Sequence, residues 1–235
     1  MKKKALVLGA SSGIGAAVSD FLDERGWEVV GIGGRELDKW VTSEAVKKDR
    51  IDLSDFSSFR SYLDQEFNNE NFPNLVINTV GRSSSRPLIQ CKSEDFEIVF
   101  SQNLNTPLVV QNEIVKQATL RKVTITSIML SSMSTNVVMV GNSLYAAAKS
   151  ALSRAHAGMA LEYHRYGHVF YTISPSLVSE SPMVLNLNTT ARESYEKRLF
   201  FPAVSQEELN SFIDYLVTSR PKAISGTEIM FGGLI

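Results

Sequence analysis

Ala5-Leu6-Val7-Leu8-Gly9-Ala10-Ser11-Ser12-Gly13-Ile14-Gly15 decides the fold. Four apolar residues read as a strand, and the glycines after them break it. Gly13–Arg25 then places Ile14, Ala17, Val18, Phe21 and Leu22 on one face of a helix. A strand that turns through glycines into a helix brings backbone close to whatever binds at the turn. The helix start adds free N–H groups and a favourable dipole for an anion. The spacing GxxxGxG therefore predicts a pyrophosphate cradle at Gly9, Ser11, Ser12, Gly13, Ile14 and Gly15. Plain strand–helix turns also carry such glycines; the position after the first strand favours binding.

The same alternation continues outward. Glu28–Ile32, Leu75–Ile77, Val123–Leu130 and Val169–Ile173 are strand-like, as is Asp49–Ile51. Helices are expected over Ser54–Phe67 from a Ser cap, over Ser93–Lys116 with a bend near Pro107, and over Ser143–Tyr166. Ser205–Ser219 opens with a capping-box pattern. Strands alternating with helices imply one parallel sheet covered on both faces, the doubly wound Rossmann-type α/β architecture. No boundary divides residues 1–235, so a single domain is expected, with residues 176–204 as an irregular substrate loop at the ligand-binding edge.

Composition excludes several classes. With 24 basic and 25 acidic residues the net charge is -1, which points to neither nucleic acid nor an anionic membrane as partner. Cys91 is alone, so no internal disulfide forms. His156, His164 and His168 lack zinc-ligand spacing and are expected to pack or face water; no metal is expected. Lys2, Lys3 and Lys4 precede an apolar run too short for a signal peptide, and no stretch reaches membrane-spanning length. The expected compartment is the cytoplasm.

Two further segments end strands on the edge where a dinucleotide would lie. Asp52-Leu53 follows Asp49–Ile51, and Asn78-Thr79-Val80-Gly81 ends Leu75–Ile77. Taken singly, Asp52 is a helix-cap residue and Asn78 a turn residue; their joint placement argues for ligand contact.

Tyr145-Ala146-Ala147-Ala148-Lys149 carries the chemistry. Residues four apart share a helix face, so the Lys149 ammonium can approach the Tyr145 phenol. At about 4 Å and an effective dielectric of about 20, that charge favours phenolate by up to about 4 kcal/mol. A phenol of pKa about 10 then becomes a usable acid/base group near neutral pH. YxxxK alone is common. Together with the opening GxxxGxG, the strand-ending Asn78-x-x-Gly81, Asn103-Leu104 on the next helix and Ser132 thirteen residues ahead of Tyr145, it resembles the short-chain dehydrogenase/reductase family over essentially the whole chain.

That resemblance implies a catalytic set of Asn103, Ser132, Tyr145 and Lys149, with Asn105 as the alternative to Asn103. Tyr145 would move the proton, Lys149 would lower its pKa and hold the nicotinamide ribose, Ser132 would bond the substrate oxygen, and Asn103 would support a water-linked relay to Lys149. Ser225-Gly226-Thr227-Glu228-Ile229 and Gly232-Gly233 resemble the family's last strand and closing glycines. The chain departs from the pattern at Thr79-Val80, and at Pro175-Ser176, where the family carries Pro-Gly. The family's following Thr falls on Glu180, beside Ser181, while Val178 keeps the apolar position near the carboxamide.

Cofactor identity turns on the end of Glu28–Ile32. No acid stands there for a ribose 2′-OH, and Arg35 could meet a 2′-phosphate, which favours NADP; Glu36 keeps NAD possible. The implied activity is reduction of a carbonyl or its reverse. A binding protein without turnover and a sugar-nucleotide epimerase are the alternatives, the second opposed by the short chain. Arg82 and Arg86 bracket a serine loop and would either attract an anionic substrate group or simply face water. Ala147, Ala151, Ala155 and Met159 form a small-residue stripe, from which a homodimer or homotetramer is expected, or else packing on the chain's own sheet.

Overall fold

The computed structural model describes residues 3–233 except 138, 186–192, 194, 195, 200 and 201, so part of the expected substrate loop lies outside the described residues. The strands are Lys4–Leu8 (β1), Glu28–Gly33 (β2), Lys47–Arg50 (β3), Leu75–Asn78 (β4), Thr126–Leu130 (β5), Val169–Pro175 (β6) and Glu228–Phe231 (β7). They form one parallel sheet in the order β3-β2-β1-β4-β5-β6-β7. The order reverses between β1 and β4, which opens a crevice at their carboxyl ends.

Side-chain alternation along the strands builds two cores. Ala5, Val7, Leu75 and Ile77 point to the face covered by Gly13–Glu24 (α1) and the C-terminal helix, with Val18, Leu22, Leu209, Ile213 and Leu216. Leu6, Leu8, Val30, Ile32 and Val76 point to the other face, with Phe59 and Leu63 of Phe56–Glu66 (α2) and Val110, Ile114 and Val115 of a later helix. The expected doubly wound sheet, helices on both faces, is the observed one.

Three boundaries differ from expectation for local reasons. The long helix expected over 93–116 divides into Ser93–Phe100 (α3), a π-helical turn at Ser101–Asn105, and Thr106–Leu120 (α4). Strand β5 starts at Thr126 because the Val123 N–H closes the end of α4 on Ala118 O and the Ile125 N–H goes to His168 Nδ1. Asp55, not Ser54, caps α2 by accepting from the Ser58 N–H. Among the described residues the remaining α-helices are Ser143–Tyr163 (α5), Pro182–Leu185 (α6) and Gln206–Ser219 (α7), the last with the expected Ser205/Glu208 capping box.

Candidate active site

The glycine turn after β1 is built for close approach. Helix α1 begins at Gly13; Ser12, extended at φ -169°, makes no side-chain cap bond, and no acid stands in the first turn. The first N–H groups are thus left for an anion. A methyl group on Gly15 would lie 2.6 Å from Thr79 Oγ1 and also strike the Gly9 carbonyl, so only glycine lets helix and turn close together. Ser11 is buried against Gly33 of β2, while Ser12 and Ile14 are half-buried at the crevice.

At the end of β2 the Arg35 side chain is exposed. Trp40 Nε1 donates to the Arg35 carbonyl at 3.1 Å and holds that turn. Glu36 pairs with Arg50 of β3 at 2.7 Å. Gly34, Arg50 and Asp52 line an open cavity of about 350 Å³ beside it. The Asp52 carboxylate accepts from both the N–H and the hydroxyl of Ser54, which holds it below the usual carboxylate range. Leu53 turns inward to the core.

At the carboxyl ends of β4 and β5 the acid/base candidates meet. Lys149 is 3% exposed. Its ammonium donates to the Leu130 carbonyl at 3.1 Å and the Val80 carbonyl at 3.4 Å, and lies 6.0 Å from the centre of the Tyr145 ring. The two carbonyls draw the ammonium toward the strand ends. Burial pushes the Lys149 pKa down to about 8.

Asn103, buried in the π-helical turn, directs Oδ1 to the Arg82 N–H at 2.8 Å and Nδ2 to Val99 O at 3.1 Å. A methyl on Gly81, at φ +156°, would lie 2.8 Å from Asn103 Oδ1 and 2.9 Å from Lys149 Nζ. Both side chains therefore converge on Gly81. Asn105, by contrast, is exposed. π-turns concentrate at functional sites, and this one turns Asn103 toward the β4 end. Ser132 begins a 3₁₀ turn, its hydroxyl donating to Ser134 Oγ at 3.1 Å and accepting from the Ser134 N–H.

Comparison with known proteins identifies the family. Residues 3–192 match the family model for short chain dehydrogenase. The chain belongs to the short-chain dehydrogenase family. It is 27% identical over 237 residues to a 3-oxoacyl acyl-carrier-protein reductase of Vibrio harveyi, covering 98% of this chain and 96% of that one. A reductase of the same name from Buchnera aphidicola is 23% identical, covering 99% and 96%. Among solved structures, a 4-hydroxyisoleucine dehydrogenase complexed with NADH superposes with a TM-score of 0.85 at 22% identity, covering 99% of this chain and 98% of that one. A putative gluconate dehydrogenase from Agrobacterium tumefaciens gives a TM-score of 0.87 at 20% identity, covering 98% and 94%. This short-chain dehydrogenase is an NAD(P)-dependent oxidoreductase acting on a small-molecule substrate.

The residues fit such a cofactor. The glycine cradle and the uncapped start of α1 suit a pyrophosphate, and the cavity at Gly34, Arg50 and Asp52 stands at the end of the crevice formed by β2 and β3. In this dehydrogenase the departures from the family pattern also have local explanations. Thr79 donates its hydroxyl to Leu8 O at 2.8 Å and packs against Gly9 and Gly15, bracing the glycine turn. Ser176, whose hydroxyl is buried without a partner among the described residues, packs against Gly232, and its N–H donates to Phe231 O at 2.8 Å. Pro175 ends β6, and Val178 is buried in a short bridge with Val204. Glu180 is exposed and bonded to the Gln206 N–H; Ser181 instead begins α6, whose Pro182 packs on Gly13.

Trp40, Arg50 and Pro182 escape a reading of the sequence. Arg50 and Pro182 act through contacts between separate segments and Trp40 through the Arg35 turn, and no local pattern marks any of them. Arg82 and Arg86 are both exposed, and Arg86 is held by both oxygens of Asp95, at 2.8 and 2.6 Å. No helix of the described residues is long and apolar enough to cross a membrane.

Proposed function

We propose that this dehydrogenase uses NADP(H) to reduce a carbonyl of the 3-oxoacyl or sugar-ketone class to an alcohol, or runs the reverse. The observation that carries this reading is the buried Lys149 ammonium, 6.0 Å from the centre of the Tyr145 ring. A cation beside the ring favours the phenolate form of Tyr145. A bound nicotinamide dinucleotide supplies the hydride in reduction and takes it in oxidation. Tyr145 gives its proton to the carbonyl oxygen in reduction and removes it from the hydroxyl in oxidation. The Ser132 hydroxyl donates to the same oxygen. Asn103 braces the Gly81-Arg82 turn beside Lys149 and supports a proton relay to it.

Gly9, Ser11, Ser12, Gly13, Ile14 and Gly15 are read as the pyrophosphate site, Asp52 and Leu53 as the adenine side, and Asn78, Gly81, Pro175 and Val178 as the nicotinamide side. Tyr145 and Lys149 would face the nicotinamide ribose. NADP is favoured by Arg35, whose guanidinium makes no ion pair among the described residues, and by Arg50, which occupies the competing Glu36. The 3-oxoacyl class is favoured by the names of the 27% and 23% identical relatives. The chain is read as one domain acting in the cytoplasm as a homodimer or homotetramer. Ala147 and Ala151 lie exposed along α5, as the dimer reading requires.

The test follows NADPH consumption with ethyl acetoacetate, an acetoacetyl thioester and a panel of ketoses. Consumption with at least one supports the reading. NADPH binding without consumption of any would overturn it.

A further inference from the structure

Helix α5 presents an unusual stripe to the sheet. Lys149, Ser153 and His156 stand at i, i+4 and i+7, one face over two turns, and all three are buried. A face that packs on a sheet is ordinarily apolar, and burying polar groups costs free energy unless each finds a partner. Each does here. Lys149 bonds carbonyls at the ends of β4 and β5. Ser153 donates to Ser131 Oγ at 2.8 Å. His156, 1% exposed, lies between Ser127 Oγ of β5 and Thr172 Oγ1 of β6, each at 2.9 Å.

The His156 contact continues across the sheet as an oriented chain. Asn78 Oδ1 accepts from the Val80 N–H at 3.1 Å, and Asn78 Nδ2 donates to the Pro107 carbonyl at 3.0 Å. Those two backbone groups fix which way the amide faces. Asn78 Nδ2 then meets Gln111 Oε1 at 3.4 Å, which turns Gln111 Nε2 to Ser127 Oγ at 3.0 Å. Ser127 Oγ and Thr172 Oγ1 then engage the two ring nitrogens of His156, one from each side. The far end closes on the same helix, because Val80, held by Asn78, offers its carbonyl to Lys149. Lys149, Val80, Asn78, Gln111, Ser127 and His156 thus make a loop that leaves α5 at one residue and returns two turns later.

We propose that His156 is a positioning residue: through Ser127 and Gln111 it fixes the rotation and register of α5 against the Asn78–Gly81 turn, and so sets the spacing of Tyr145 and Lys149 from that turn. Apolar packing is non-directional and would hold the helix without fixing this register; directional bonds fix it. The inference rests on reading Tyr145 as the acid/base group.

The test uses the ionisation of Tyr145 in the protein without cofactor. Tyrosinate absorbance is titrated for each protein and for its Tyr145→Phe counterpart, and the difference isolates Tyr145 from the chain's other tyrosines. The parent should titrate below the ordinary phenol value of about 10. His156→Leu and Ser127→Ala should raise the midpoint by about one pH unit, a tenfold change in proton affinity. His156→Gln, which keeps one donor and one acceptor, should restore most of it. Ser127→Ala leaves α5 untouched and serves if His156→Leu fails to fold, as near-ultraviolet circular dichroism would report. A parent with no tyrosine titrating below about 10 would overturn the acid/base reading and this inference with it. A low midpoint left unmoved in folded His156→Leu and Ser127→Ala, or a Gln variant as displaced as the Leu variant, overturns the positioning role alone.

Discussion

The Glu36 carboxylate lies 2.7 Å from the Arg50 guanidinium, bridging the ends of neighbouring parallel strands. This pair separates two neighbours that the sequence leaves in competition. Glu36, the acid beside Arg35, is already engaged, while Arg35 stands exposed with its backbone pinned by Trp40. NADPH should therefore bind more tightly than NADH in a fluorescence titration. Arg35→Ala should weaken NADPH about tenfold or more, the range of a lost charge-assisted bond, and leave NADH nearly unchanged. Arg50→Gln should free Glu36 and narrow the gap further. A parent that prefers NADH would mean that Glu36 leaves Arg50 to read the ribose.

The buried Lys149 ammonium should cost stability that the site retains for chemistry. Burial lowers its pKa from 10.5 to about 8. Below pH 8 both folded and unfolded chains hold the proton, and the folded chain bears the buried charge. Between pH 8 and 10.5 the folded chain releases the proton while the unfolded chain keeps it, so stability rises with pH through that window. Lys149→Met does not titrate. It should exceed the parent in stability by roughly 1–3 kcal/mol at pH 7, after allowance for two lost hydrogen bonds, and the advantage should shrink as pH approaches 10.5. Thermal melts of the cofactor-free proteins at pH 7 and pH 10 measure this. A variant less stable than the parent at pH 7, or a gain independent of pH, would contradict it.

The alanine stripe of α5 divides in the folded chain. Ala147 and Ala151 are exposed, whereas Met159 is 6% exposed and packs into the core beneath the helix. An interface between copies would therefore centre on the first half of α5 and on α4, where Val109 is also exposed. Light scattering at micromolar concentration should give a multiple of 26.0 kDa, and Ala151→Arg should dissociate the assembly without unfolding it. A monomeric parent would leave that face as ordinary surface.

Much of the site is legible in the sequence because its parts obey local rules. The glycine turn follows a strand and precedes a helix, and Tyr145 and Lys149 share a helix face; both patterns lie within one turn of chain. Asn103 was legible only through the family pattern. The π-helical turn that aims it at Gly81 depends on packing between α3 and α5, and no local propensity marks it. The His156 chain was invisible for the same reason. Asn78, Gln111, Ser127, His156 and Thr172 come from five elements, and taken singly His156 reads as a surface or packing histidine.

The most direct test of the account compares the parent with Tyr145→Phe, a substitution that removes one hydroxyl from the site. Both are assayed for NADPH consumption with whichever carbonyl of the panel the parent reduces, and both are titrated with NADPH. The account predicts a loss of turnover of about 100-fold or more, the least that a positioned acid contributes, with cofactor affinity within about threefold of the parent. Near-parental turnover by Tyr145→Phe would contradict it.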